Sequence, residues 1–80
     1  MKEVDEKVFL FMNSLMQLGI IEFEKDFAEA IGVKRQNVNN IKNGISHFTT
    51  KHIHNISKVF GGNPNYFFGL EENMFRKKSK

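Results

Sequence analysis

The 80-residue sequence predicts an all-α domain of five short helices. Apolar residues recur at spacings of three and four in each candidate segment, as they do along the buried face of a helix. Glycine, or asparagine followed by proline, stands between these segments, where helices end and begin. No segment predicts a strand, so we expect helices alone to form the core.

The composition is that of an ordinary globular protein with one modest core, with 40% hydrophobic and 26% charged residues. The chain has no cysteine, so neither a disulfide framework nor a thiolate metal site holds it together. No apolar run approaches the roughly eighteen residues of a membrane span, and the acidic start lacks the order of a signal peptide. We therefore expect a cytoplasmic protein without a membrane segment.

The net charge of +3 is unevenly distributed along the chain. Residues 1–30 carry a balance of −4, whereas residues 31–80 carry a balance of +7. This asymmetry is typical of a protein with one side facing a polyanion and another side kept away from it. Ordinary solvated surface explains the charges equally well, so the motifs must decide between the two interpretations.

The first helix is predicted from about Asp5 to Leu18. No glycine or proline interrupts its apolar pattern, and Gly19 supplies the stop. Asp5 and Glu6 suit the positive end of the helix dipole. The apolar stripe is interpreted as core, and it consists of Val8, Phe9, Phe11, Met12, Leu15, Met16 and Leu18.

The stretch Glu24–Asn43 predicts two more helices joined by a tight turn at Gly32. Helices this short do not persist alone in water, so the rest of the chain must pack against them. Ala28 lets the two helices cross closely. The connector Ile20–Phe23 lacks a usual capping residue, which leaves the start of the second helix open by a few residues. The residues predicted to face one core are Phe27, Ile31, Val33, Val38 and Ile41.

A fourth helix is predicted after Thr49, a plausible N-cap, and it ends near Phe60 at two glycines. Asn63-Pro64 then starts a fifth, very short helix, because asparagine caps well and proline is tolerated in the first turn. We predict one domain over residues 1–70, with its central motif at about residues 24–43. Residues 71–80 are predicted to be a charged tail or the start of a linker to a further C-terminal domain.

The outward side chains of the third helix are unusual for a helix. Asparagine is a poor helix former, yet three asparagines occur within four residues. In the major groove of DNA, amides pair with the edge of adenine and arginine pairs with the edge of guanine. We therefore favour base recognition over a merely polar surface for the set Arg35, Gln36, Asn37, Asn39, Asn40 and Lys42.

The segment resembles the helix-turn-helix of the phage repressor and Cro-like (XRE-type) DNA-binding domains, and the resemblance covers about Glu24 to Gly69. It implies a lambda-repressor-like fold of five helices that binds double-stranded DNA in a sequence-specific way and regulates transcription, as a repressor. The residues that carry the resemblance are Phe27-Ala28, Ile31-Gly32-Val33, Val38, Ile41, Lys42-Asn43-Gly44, Ile56, Val59, Phe60 and Asn65-Tyr66-Phe67.

The resemblance places the start of the recognition helix at Lys34, Arg35 and Gln36, where the family touches bases. Asn39 and Asn40 lie one turn further, and we include them among the predicted base contacts. The predicted phosphate contacts are Asn37, Asn43, Gly44, Ser46 and Lys51.

Three positions depart from the family's pattern. Lys42 replaces a frequent acidic residue, and Lys34 replaces a usual Ser or Thr cap. Glu24 stands where many members have a polar residue that holds phosphate, and a carboxylate would repel it. No phosphate contact is therefore expected at Glu24.

The sequence predicts neither a metal site nor a cofactor, and it predicts no enzyme. His47, His52 and His54 lack the spacing that metal ligands take on a helix. We found neither a glycine-rich phosphate loop nor a nucleophile with a base and an acid.

We expect a homodimer on two DNA half-sites about one helical turn apart, because one recognition helix contacts few base pairs. Phe67, Phe68 and Phe75 are candidates for its surface. The alternative function is an antitoxin-like protein-interaction module on the same fold. The acidic first helix and Glu24 slightly favour that alternative, and salt-dependent, sequence-selective DNA binding would distinguish the two.

Overall fold

The computed structural model describes residues 2–76. In this part of the chain five helices form and no strand does, which confirms the all-α prediction. The helices begin and end within about two residues of the predicted limits. They are α1 (Glu3–Gln17), α2 (Glu24–Ile31), α3 (Arg35–Lys42), α4 (Thr50–Phe60) and α5 (Pro64–Phe67).

The turn between α2 and α3 depends on Gly32. Its φ of 80° lies in the left-handed region, where a side chain is strained and glycine is not. The chain turns there so that the Val33 N–H donates to the Ala28 carbonyl at 2.9 Å. This bond satisfies one of the open carbonyls at the end of α2 and fixes the entry into α3.

The start of α2 is defined by Asp26, a residue inside the helix. The Asp26 carboxylate accepts the N–H of Phe23 at 2.9 Å and that of Glu22 at 3.3 Å. This is the half of a capping box in which the N3 side chain accepts the N–H of the N-cap residue; the other half is absent, because the Phe23 side chain has no acceptor. The start of α2, left open by the sequence, is therefore Glu24.

Phe11 of α1 is the centre of the core. It is fully buried, and its ring lies 5.4 Å from that of Phe67, 5.0 Å from that of Phe75 and 6.5 Å from that of Phe27. One side chain thus connects α1 with α2, α5 and the C-terminal segment. Phe67 is 0% exposed and therefore unavailable as a dimer contact, contrary to its place among the three phenylalanine candidates.

The apolar face predicted for the central motif is buried as expected. Ala28 is also buried, and it lines a cavity between α2 and α3 together with Val38. From α4, the Asn55 side-chain amide donates to the Ile31 carbonyl at 3.0 Å and so ties the end of α2 to α4. The buried residues of this face are Phe27, Ile31, Val33, Val38 and Ile41.

Residues 71–76 lie against the helices. Asn63 N–H donates to the Met74 carbonyl and Arg76 N–H donates to the Gly61 carbonyl, both at 2.8 Å. An isolated antiparallel bridge joins Gly62 and Phe75 between these bonds. The division of the chain into a domain and a charged tail at residue 70 remains a prediction. In the structure, residues up to Arg76 pack against the domain. The basic end, residues 77–80, lies outside the described residues.

Within residues 2–76, no helix is both long enough and apolar enough to cross a membrane.

Thr49 caps α4 as predicted, and His52 completes the cap. Thr49 Oγ1 accepts the His52 N–H at 3.3 Å, and His52 Nδ1 accepts the Thr49 N–H at 3.1 Å. Burial, and secondarily the charge of Lys51, lower the pKa of His52 below its usual 6.5. A neutral ring is what this cap requires, because a protonated Nδ1 could not accept a hydrogen bond.

Replacing Ala28 with leucine should destabilise the fold by about 1–3 kcal/mol, because the larger side chain overpacks the contact between α2 and α3. Ala30→Leu is the matched control, since Ala30 lies exposed on the same helix. Surface substitutions usually change stability by less than about 0.5 kcal/mol. Thermal or urea unfolding measures both effects. Equal stability of the two variants would show that Ala28 does not limit the helix crossing.

Acidification should destabilise the domain through His52. Below pH 6.5 the unfolded chain takes up a proton at this position more readily than the folded domain, so stability is lost as the pH falls through this window. His52→Gln should melt with a smaller difference between pH 7.5 and pH 5.5 than the wild type. His54→Gln, at an exposed position of α4, serves as the control and should keep the wild-type difference. A His52 variant with an unchanged pH dependence would contradict this linkage.

Candidate nucleic-acid interface

α3 has one buried and one open side. Val38 and Ile41 are buried in the core, which orients the helix and leaves its opposite side in solvent. Lys34, the N-cap residue, has an extended backbone and makes no side-chain cap. The first turn of α3 has no acidic residue. The N-terminal end of the helix is therefore positive both by its dipole and by its side chains.

The structure brings the five predicted base-contact residues together on or beside α3. Lys34, Arg35, Gln36 and Asn39 are exposed, and Asn40 is half-buried. Within residues 2–76, none of these five side chains makes a hydrogen bond or ion pair with another part of the protein. Their donors and acceptors therefore remain free to bind a ligand.

The loop after α3 is folded back onto the helix. The N–H groups of Ile45 and Ser46 donate to the Asn40 carbonyl at 2.9 and 3.3 Å, and the Gly44 N–H donates to the Ile41 carbonyl at 3.1 Å. Gly44 has a φ of 77°, which makes this turn possible. These three backbone donors are thus already occupied. A phosphate that binds at Gly44, Ile45 or Ser46 could not use these three N–H groups unless the turn opened.

The remaining predicted phosphate residues surround this loop. Asn43 follows α3 as its C-cap and is exposed, whereas Asn37 and Ser46 are half-buried. Lys51 is exposed on the first turn of α4. These residues therefore lie on α3, in the loop that follows it and on the next helix.

Two departures from the family's pattern turn out to be partners. Lys42 Nζ lies 2.6 Å from Glu24 Oε1, with side-chain exposures of 42% and 40%. An ion pair this exposed contributes about 0–1 kcal/mol to stability. Its larger effect is on charge, because each residue neutralises the other beside α3. The sequence named both positions as departures without connecting them, since 18 residues separate them.

Asp5 has a role that the sequence did not indicate. It is 1% exposed, and its carboxylate accepts the Phe48 N–H at 3.0 Å through Oδ1. Its other oxygen, Oδ2, lies 2.7 Å from His47 Nδ1. Asp5 thus ties α1 to the loop after α3. The one available signal was its spacing of three from Val8, which places Asp5 on the buried stripe of α1.

Metal ligands are not assembled in the described part of the chain. Within residues 2–76, no three histidine, aspartate or glutamate side chains come close enough together to hold a metal ion.

The arrangement of α2, the glycine turn and an outward-facing α3 defines a helix-turn-helix domain. Comparison with protein families agrees, since the family described as helix-turn-helix matches residues 17–67, more than half of the chain. The chain belongs to this family, which is the XRE-type, lambda repressor and Cro-like helix-turn-helix, a family of DNA-binding regulators. No curated protein matched the chain. No solved structure matched it either.

Glu24→Gln should strengthen DNA binding several-fold at low salt. The change removes a negative charge next to α3 and frees the Lys42 ammonium for a phosphate. Glu29→Gln is the matched control, because it removes the same charge at an exposed position on another side of α2. Fluorescence anisotropy with a mixed-sequence DNA duplex measures both variants across a salt series. If both variants gained the same DNA affinity, the gain would come from net charge alone. That result would contradict a specific role for the ion pair.

Proposed function

We propose that this protein is a sequence-specific regulator of transcription that binds double-stranded DNA and acts as a repressor. The observation that carries the proposal is the open side of α3, where Arg35, Gln36 and Asn39 are exposed and unpaired within the described chain. A helix of this kind fits the major groove, where its side chains reach the edges of the bases.

The chemistry of base recognition follows from these side chains. Arg35 can donate two hydrogen bonds to guanine, and Gln36 or Asn40 can donate to and accept from adenine. Each such pair discriminates against a wrong base by about 1–3 kcal/mol. Lys34 precedes the helix and adds positive charge at the same end. Asn39 lies one turn along on the open side.

Phosphate contacts hold the helix in register on the DNA. We assign this role to the side chains of Asn37, Asn43, Ser46 and Lys51, with Gly44 shaping the loop between them. Such contacts supply much of the affinity and make it dependent on salt. The charges of Glu24 and its partner Lys42 cancel, so this pair adds no net attraction for phosphate.

A homodimer completes the proposal. One eight-residue helix contacts too few base pairs to select a site, and two copies on half-sites about 34 Å apart would double the contacts. Phe68 is 49% exposed, which leaves it as the strongest of the three phenylalanine candidates for the dimer surface. A dimer that occupies a promoter in the cytoplasm would repress transcription by excluding polymerase. No catalytic step is part of this function.

The alternative, an antitoxin-like protein-interaction module, has less support from the described residues than from the sequence. Two of the four acids that favoured it have partners within this chain. Asp5 is buried against the loop after α3, and Glu24 is paired with Lys42. Glu3 and Glu6 remain exposed on α1.

Gln36→Ala and Asn40→Ala should each weaken binding to the preferred site by about 1–3 kcal/mol and relax the choice at one base position. Selection from a random DNA pool, followed by affinity measurements on the recovered duplexes, tests this. Asn13→Ala, at an exposed position on α1, is the control that should leave both affinity and selectivity unchanged. An equal loss on all sequences would show that Gln36 and Asn40 only position the backbone.

The same selection tests the function as a whole. A two-fold symmetric recovered site would support the homodimer. Binding without salt dependence, or a pool that shows no sequence preference, would contradict the proposed function and favour the protein-interaction module.

A further inference from the structure

The buried carboxylate of Asp5 constrains the chemistry of His47. Its two oxygens have separate partners, the Phe48 N–H at 3.0 Å and His47 Nδ1 at 2.7 Å. An ionised carboxylate only accepts hydrogen bonds, so Nδ1 is the nitrogen that carries the hydrogen. Asp5 is 1% exposed, so its carboxylate lies almost entirely out of contact with water. The orientation of the imidazole ring is fixed from inside the protein.

The rest of the His47 ring is available to a ligand. The side chain is 41% exposed although one of its nitrogens is held by a buried group. The second nitrogen, Nε2, lies away from that contact and makes no hydrogen bond within residues 2–76. Nε2 is therefore the one ring nitrogen of His47 that is available to a ligand, and the bond to Asp5 orients the ring.

His47 also lies next to the proposed DNA-binding surface. The preceding residue, Ser46, donates its N–H to the carbonyl of Asn40, a proposed base contact on α3. Consecutive Cα atoms are about 3.8 Å apart, so the backbone of His47 lies near the last turn of α3. The backbone donors of the loop from Gly44 to Ser46 are occupied, which leaves side chains to contact a phosphate there.

We propose that His47 binds a phosphate of the DNA backbone through Nε2 and that Asp5 is its positioning residue. This inference rests on the proposed function. To donate to a phosphate oxygen, Nε2 must carry a hydrogen, and Nδ1 already carries one. The bound ring is therefore the imidazolium, and DNA binding is coupled to the uptake of one proton per subunit. Affinity then rises as the pH falls, because binding takes up a proton.

The groups around His47 agree with this coupling. From α1, Asp5 faces it with a negative charge that complements the imidazolium. On α4, the next titratable groups along the chain are Lys51 and His52, and burial, then the charge of Lys51, lower the pKa of His52. The effect of His52 on stability has the opposite sign, because acid weakens the fold there.

The test measures DNA binding by fluorescence anisotropy with a mixed-sequence duplex of about two half-sites. Wild-type protein should bind several-fold more tightly at about pH 6 than at about pH 8. His47→Gln should bind more weakly at pH 6, lose this pH dependence and reduce the slope of log K against log salt by about 1 per subunit. His54→Gln, exposed on α4, should leave all three quantities as in the wild type.

Asp5→Asn separates positioning from general stability. The asparagine oxygen can still accept the Phe48 N–H, while its amide can donate to His47 Nδ1. The hydrogen of the neutral ring then moves to Nε2, so the phosphate contact no longer needs an added proton. The variant should therefore bind at pH 8 about as well as at pH 6. Thermal melting at both pH values confirms that each variant is compared in its folded state.

The outcomes distinguish this inference from the function on which it rests. His47→Gln with wild-type affinity, salt slope and pH profile would overturn the phosphate contact while the DNA-binding function stands. A wild-type pH profile in Asp5→Asn would overturn the positioning role. Wild-type protein that binds no duplex at any salt concentration would overturn the function and the inference together.

Discussion

Helices of eight residues do not persist in water, and both helices of the central motif, α2 and α3, are that short. Their order therefore comes from burial. Phe11 supplies the common contact, because its ring meets residues from α2, α5 and the C-terminal segment. The open side of α3 can carry poor helix formers such as asparagine because the other side is held by the core. Stability and recognition are thus assigned to opposite sides of one helix.

Local features of the sequence predict most of this architecture. The spacing of Phe27 and Ile31, the left-handed glycine at position 32 and the Asn63-Pro64 restart all act within a few residues, so they can be recognised without a structure. The limits of α4 follow equally well from Thr49 and Gly61. The same holds for the open side of α3, because residues excluded from an apolar face must point away from it.

Contacts between distant residues were beyond prediction. The sequence shows Asp5 as an acid in the first turn of a helix, and its bond to the loop 42 residues later depends on how α1 docks. Glu24 and Lys42 likewise appeared as two separate departures. The sequence did not predict the packing of Met74 and Phe75, because a short charged segment after a glycine is typical of an unpacked chain terminus. In each case the missing information is the relative placement of elements, which local patterns do not contain.

The Glu24–Lys42 ion pair limits which substitutions these two positions tolerate. Reversing the charge of Glu24 or of Lys42 alone would place two like charges at a contact that is now 2.6 Å long. A protein that carries only one of the two reversals is therefore disfavoured. The two positions are therefore expected to change together, with a neutral residue at one of them as the accessible intermediate.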